Sequence, residues 1–147
     1  MGAQQEEGDL EKLAEKLAGL FGKPDSSYVP PALDEPPAVG TLEAELKKQF
    51  HLAMIDIYRR SNTELGYNPT RFAQMLGSRG GLSTAEYLIR SKNPSDGYVT
   101  LWEHHRLDLS VEFMVCSPRF RSLFSTADVD RARRRLNDWG MDPDEYF

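Results

Sequence analysis

From Thr41 onward, apolar residues recur at the three- and four-residue intervals of an α-helix, and this periodicity confines the chain to a helical fold. Leu42, Leu46, Phe50, Ala53, Met54 and Ile57 line one face of the first long segment. Leu52, Ile55 and Tyr58 widen that face, which predicts a central helix packed on more than one side. After Gly66, Asn68-Pro69 reads as a side-chain cap followed by proline at the first helical position, leading into Phe72, Met75 and Leu76. Gly80-Gly81 stops that helix. Ser83-Thr84-Ala85-Glu86 reads as a capping box with Leu82 and Tyr87 as its hydrophobic staple, opening a further short helix through Leu88 and Ile89. Ser125-Thr126-Ala127-Asp128 repeats the cap chemistry before Val129, Ala132 and Leu136, with Trp139 and Gly140 closing the segment. Tyr98 to Trp102 has strand propensity but no strand to pair with, so it too reads as helix. The expected fold is all-α, a compact orthogonal bundle of six or seven short helices. Its core is expected to rest on Phe50, Met54, Ile57, Phe72, Leu101, Trp102, Phe113 and Leu136.

The chain of 147 residues divides into an N-terminal part, residues 1–40, and a helical domain, residues 41–147. Leu10, Leu13, Leu17, Leu20 and Phe21 give residues 9–21 an amphipathic helical pattern, too short to be stable alone and therefore expected to dock on this chain or on a partner. Five prolines in residues 23–40 mark an extended linker with no core of its own. Charge is divided along the same line. Residues 1–50 hold 5 Lys and 10 acids, whereas residues 51–147 hold 13 acids against all 12 arginines and Lys92. Such a balanced, arginine-biased body suits ion-pair networks or a protein interface better than a dedicated nucleic-acid binder. Cys116, in the apolar run Leu109 to Cys116, is expected in the core, which suits a reducing cytoplasm. No apolar stretch is long enough to span a bilayer and no signal segment opens the chain, so a soluble, unprocessed protein with no membrane contact is expected.

The densest chemistry lies between Ser95 and Glu112, yet its spacing fits no catalytic or cofactor motif. His104 and Asp108, four residues apart, could share a helical face and hold a metal together with Glu103, His105 or His51. Asp108 reads more naturally as a helix cap, and no metal or cofactor is expected. Glu103 and Arg106 are placed to pair across a turn, beside Trp102. Glu103 with Glu112 has no pocket signature of a glycosidase pair. Arg131, Arg133, Arg134 and Arg135 could track phosphates, but Asp128, Asp130 and Asp138 stand three or four residues away and are expected to pair with them along the same helix. Phe72 to Ile89, with Arg71, Arg79 and Arg90 around it, has a weak helix-turn-helix outline.

Tyr67-Asn68-Pro69-Thr70-Arg71-Phe72, Met75-Leu76, Gly80-Gly81, Ser95-Asp96-Gly97, Leu101-Trp102-Glu103, Arg106-Leu107-Asp108-Leu109, Phe120 with Leu123-Phe124, and Ala132-Arg133-Arg134-Arg135-Leu136 follow one another in an order that resembles a widespread bacterial all-helical domain with no assigned activity. The resemblance covers about residues 48–140. It implies an accessory module, found alone or joined to other domains, some acting on DNA, and it carries no catalytic residues. The sequence is therefore read as a non-enzymatic adaptor that binds a protein partner, or a second copy of itself, through Trp102, Glu103, His104, His105, Arg106, Arg119, Arg121, Arg133 and Arg134. A nucleic-acid-associated module with weak binding is the alternative, and a small metal-dependent hydrolase is third.

Overall fold

The computed structural model describes residues 28–147, and the amphipathic pattern of Leu10, Leu13, Leu17, Leu20 and Phe21 lies outside them. Among the described residues there are six α-helices and no strand: α1 (Glu43–Leu65), α2 (Thr70–Arg79), α3 (Gly81–Arg90), α4 (Asp96–Glu103), α5 (Val111–Cys116) and α6 (Thr126–Asp138). Three short 3₁₀ turns, Leu107–Leu109, Arg121–Leu123 and Pro143–Glu145, join or follow them. Tyr98 to Trp102 is helical, as its lack of a partner strand requires.

The widened face of α1 buries Leu46, Phe50, Ala53, Met54, Ile55, Ile57 and Tyr58. Leu42, expected on that face, is 71% exposed because the helix begins one residue after it. The helix ends at Gly66, whose φ of +64° is disfavoured for a side-chain-bearing residue and turns the Gly66 and Tyr67 N–H groups back onto the carbonyls of Asn62 and Ser61. In the middle of the bundle α5 is buried along its whole length, Glu112 included, and it packs most closely on α6. Phe50 meets Phe120 and Phe124 edge to face, both with ring centroids 5.3 Å away, so α1 is tied to the segment after α5. Phe50, Met54, Ile57, Leu101, Phe113 and Leu136 are buried as expected, and so is Cys116.

Two expected starts are corrected. Asn68 makes no side-chain cap. Pro69 itself occupies the cap position with ψ 74°, and the Thr70 N–H donates to the Asn68 carbonyl at 2.8 Å. Nor does the capping box from Ser83 to Glu86 begin α3, which starts two residues earlier at Gly81. The reason is tertiary: the Gly81 N–H donates to His51 Nδ1 on α1 at 2.8 Å, so the terminus is capped by another helix. Glu86 instead receives Arg90 at 2.9 Å, and Thr84 is fully buried. The caps by Ser95, Ser110 and Ser125 are local, each hydroxyl accepting the N–H three residues on.

Trp102 and Phe72 are also corrected. Phe72 is only partly buried, and Trp102 is 44% exposed. Within the eight residues of α4, Tyr98 and Leu101 take the inward stripe, which turns the next residue about 100° away. Trp102 still stands edge-on to Trp139 at 5.0 Å and donates its indole N–H to the Trp139 carbonyl at 3.1 Å. Trp102→Ala should therefore cost about 1–2 kcal/mol, an aromatic pair and one exposed hydrogen bond, instead of the 3–5 of a buried tryptophan. Chemical denaturation of the variant beside wild type checks this.

Residues 28–40 contain neither helix nor strand, as their prolines imply, but they lie against the body of the domain. The Arg119 N–H donates to the Leu33 carbonyl at 3.1 Å, Arg119 Nη1 donates to the Pro36 carbonyl at 3.2 Å, and Leu33 packs on the core.

His51 is expected to make folding pH-dependent. As acceptor of the Gly81 N–H its Nδ1 must be unprotonated, and burial lowers its pKa from the ordinary 6.5. The unfolded chain therefore takes up the proton first. Stability contributed at neutral pH is expected to fall as pH drops below about 6.5 and on through the lower folded value. Melting followed from pH 7.5 to pH 5 should show this loss, and a His51→Gln variant should flatten it.

Candidate functional site

Between the α2–α3 pair and the start of α4 lies a cleft of about 470 Å³, a size common for ligand sites. Phe72 and Met75 of α2, with Tyr87 and Leu88 of α3, are part of its lining. Asp96, Tyr98 and Leu101 of α4 line it as well. Tyr67 belongs to the same cleft. Burial, foremost, raises the pKa of its hydroxyl, the nearby Thr100 side chain draws it back, and Asp96 adds to the rise. Arg79 lies over the Tyr87 ring at 4.5 Å, fixing a ring that is otherwise 45% exposed.

The cleft reaches Glu112, a carboxylate on buried α5. Arg135 of α6 closes over it: Nη1 donates to Glu112 Oε1 and to the Leu88 carbonyl, both at 3.1 Å, and Nη2 donates to the Ser91 carbonyl at 2.6 Å. The Tyr98 hydroxyl donates to the Arg135 carbonyl at 3.2 Å. Side-chain exposure is 9% for Arg135 and 5% for Glu112, so both charges are nearly dry and depend on each other. Burial pushes the Glu112 carboxyl above its ordinary range, while its own backbone N–H and Arg135 draw it back. Burial likewise raises the Tyr98 phenol, and it carries the Cys116 thiol up to about 12, which makes that sulfur a poor nucleophile at neutral pH.

The nine residues expected to form an arginine and aromatic surface differ in what each one contacts. Trp102 sits by Trp139, and Glu103, His104 and His105 are exposed at the end of α4. The Glu103–Arg106 pair is absent. The helix ends at Glu103, His105 turns the chain with φ +57°, and Arg106 reaches Asp108 at 3.0 Å and Glu64 at 3.5 Å. The same turn removes His104 and Asp108 from a common helical face, and Asp108 caps nothing, since Ser110 caps α5. Among the described residues no group of three or more potential metal ligands comes together.

Arg119 holds the proline segment, whereas Arg133 pairs with Asp144. Arg121 lies within electrostatic reach of Cys116, and Arg134 is exposed. The ion pairs expected along α6 are replaced by pairs to other elements. Asp128 is nearly buried and faces α3, where Arg90 donates to both its oxygens at 3.2 and 2.9 Å; Arg135 turns inward to Glu112. The Arg90 hydrogen bonds, foremost, lower the Asp128 pKa.

The sequence reading set aside Glu112 and Arg135 and passed over Tyr67 and Asp96 as site residues. An acid inside the run Leu109 to Cys116 was a usable signal, because a buried carboxylate needs a cation. Arg135, adjacent to Leu136 and three residues after Ala132, borders the apolar stripe of α6 and is the matching partner. The cleft itself has no linear signature, since its lining comes from five helices. Compared with protein-family models, curated proteins and solved structures, the chain matches none.

Proposed function

We propose that the chain is a non-catalytic recognition module whose cleft takes a segment of a protein partner. The observation that carries this reading is the pairing of an open, aromatic-lined cleft with a Glu112 carboxylate already occupied by Arg135. Apolar and aromatic walls with a few polar groups suit binding. A carboxylate locked to a guanidinium is poorly placed to exchange protons with a substrate. The arginine and aromatic character expected of the binding surface is present here in Arg71, Phe72, Tyr87 and Tyr98. In this reading the protein is an accessory domain of bacterial type working in the cytoplasm, in keeping with the resemblance and the buried thiol. Among the described residues no helix is long and apolar enough to cross a membrane.

Nucleic-acid binding loses ground because Arg90, Arg106, Arg133 and Arg135 are held in ion pairs and Arg119 by backbone carbonyls, leaving fewer guanidinium groups for phosphates. Peptide display on the immobilised protein tests the proposal. Selected binders are expected to be lost on Met75→Glu and weakened on Tyr87→Ala, yet kept on Trp102→Ala. The reverse pattern would move the site to the Trp102–Trp139 surface. Tight binding of single or double strands at about 0.15 M salt would favour the nucleic-acid module instead.

A further inference from the structure

We infer that the cleft recognises a linear segment carrying one basic and one acidic side chain on either side of a short apolar stretch. This rests on the cleft reading above and adds the chemistry of the occupant. The observation behind it is that two of the cleft's helices bring charges of opposite sign. Arg71, in the first turn of α2, and Asp96, the first residue of α4, both line the cleft and are both exposed. Neither forms an ion pair with the other or with any other of the described residues.

The charged groups around them are engaged. Glu112 is closed by Arg135, Arg90 spans Glu86 and Asp128, and Arg79 covers Tyr87. What remains at the cleft is one cation on α2 and one anion on α4, with Phe72, Met75 and Leu88 among the apolar residues of the lining. A wholly anionic ligand would gain at Arg71 and lose at Asp96, and a wholly cationic one would do the reverse. A segment bearing both charges gains at each, while its apolar middle meets the aromatic and aliphatic lining. The volume of about 470 Å³ accommodates a short stretch of chain and is too small for a folded partner to enter.

Fluorescence polarisation with short synthetic peptide pools tests the inference. In one pool Lys and Glu flank one to four apolar residues in either order; in the other two, both flanking residues are Lys or both are Glu. The mixed pool is expected to bind the wild-type protein most tightly, by about two- to fivefold for each exposed charge pair. Asp96→Lys should switch the preference to the Glu pool, and Arg71→Glu should switch it to the Lys pool. Asp96→Asn and Arg71→Gln should reduce discrimination without reversing it, which guards against a charge-reversal variant that fails to fold. If the three pools bind alike, or the preference survives both reversals, the charge inference is overturned. The cleft reading then stands provided Met75→Glu still abolishes binding. If no pool binds, or binding is indifferent to Met75→Glu, the cleft reading falls and this inference falls with it.

Discussion

Arg135→Met should destabilise the protein by about 3–5 kcal/mol, lowering the melting temperature by roughly 10–20 °C. The substitution nearly preserves the side-chain stem but leaves the buried Glu112 carboxylate without its cation, and the carbonyls of Leu88 and Ser91 without their donor. The defect should depend on pH in a defined direction. Without Arg135, burial raises the folded pKa of Glu112 further. Stability is therefore greatest below the ordinary carboxylate value and is lost as pH rises through the folded one. The difference between variant and wild type is thus expected to shrink in mild acid. Glu112→Gln leaves no buried charge on α5 and keeps an acceptor for Arg135, but strands the guanidinium charge instead. Urea denaturation of both variants and of the double variant, at pH 7 and pH 5, measures the coupling. Additive losses across that cycle would refute the pairing as the source of the effect.

Gly81→Ala should cost about 2–4 kcal/mol, although alanine is ordinarily the better helix former by up to ~1 kcal/mol. A Cβ at this position would lie 2.9 Å from the His51 Cα and 3.2 Å from its Nδ1. The first contact is backbone of α1 and cannot be relieved by a side-chain rotation. The two helices must part, which stretches the Gly81 N–H to His51 bond of 2.8 Å. Gly97→Ala is the matched control, because its Cβ meets the tip of a side chain, the Tyr67 hydroxyl, at 3.3 Å. Thermal melts of the two variants should separate by several degrees or more. Equal melting temperatures would mean that α1 and α3 yield more easily than their packing implies.

The helices and most of the core were legible in the sequence because they follow from periodicity, which is local. Phe50, Met54, Ile57 and Leu136 fall on stripes that any docking of these helices must bury. Ser125 could be identified as a cap for a similar reason, since its hydroxyl reaches an N–H three residues on. The failures are those of long-range partners. The start of α3 depends on His51, thirty residues earlier. The charges of α6 go to α3, to α5 and to Asp144, where spacing along the helix suggested neighbours. Trp102 was misplaced because its neighbour Leu101 took the inward position of a short helix. The cleft was invisible for the same cause: its walls meet only after five helices have packed.

The grip of Arg135 on the Leu88 and Ser91 carbonyls has a thermodynamic consequence for recognition. Ser91 begins the segment that leads along the cleft rim to Ser95 and α4, and its carbonyl is fastened to a side chain of the bundle interior. That end of the rim is therefore set when the chain folds, so under the proposed recognition role its ordering entropy would not be charged to binding. On the same proposal, affinity differences among bound segments are expected chiefly in how slowly each one leaves.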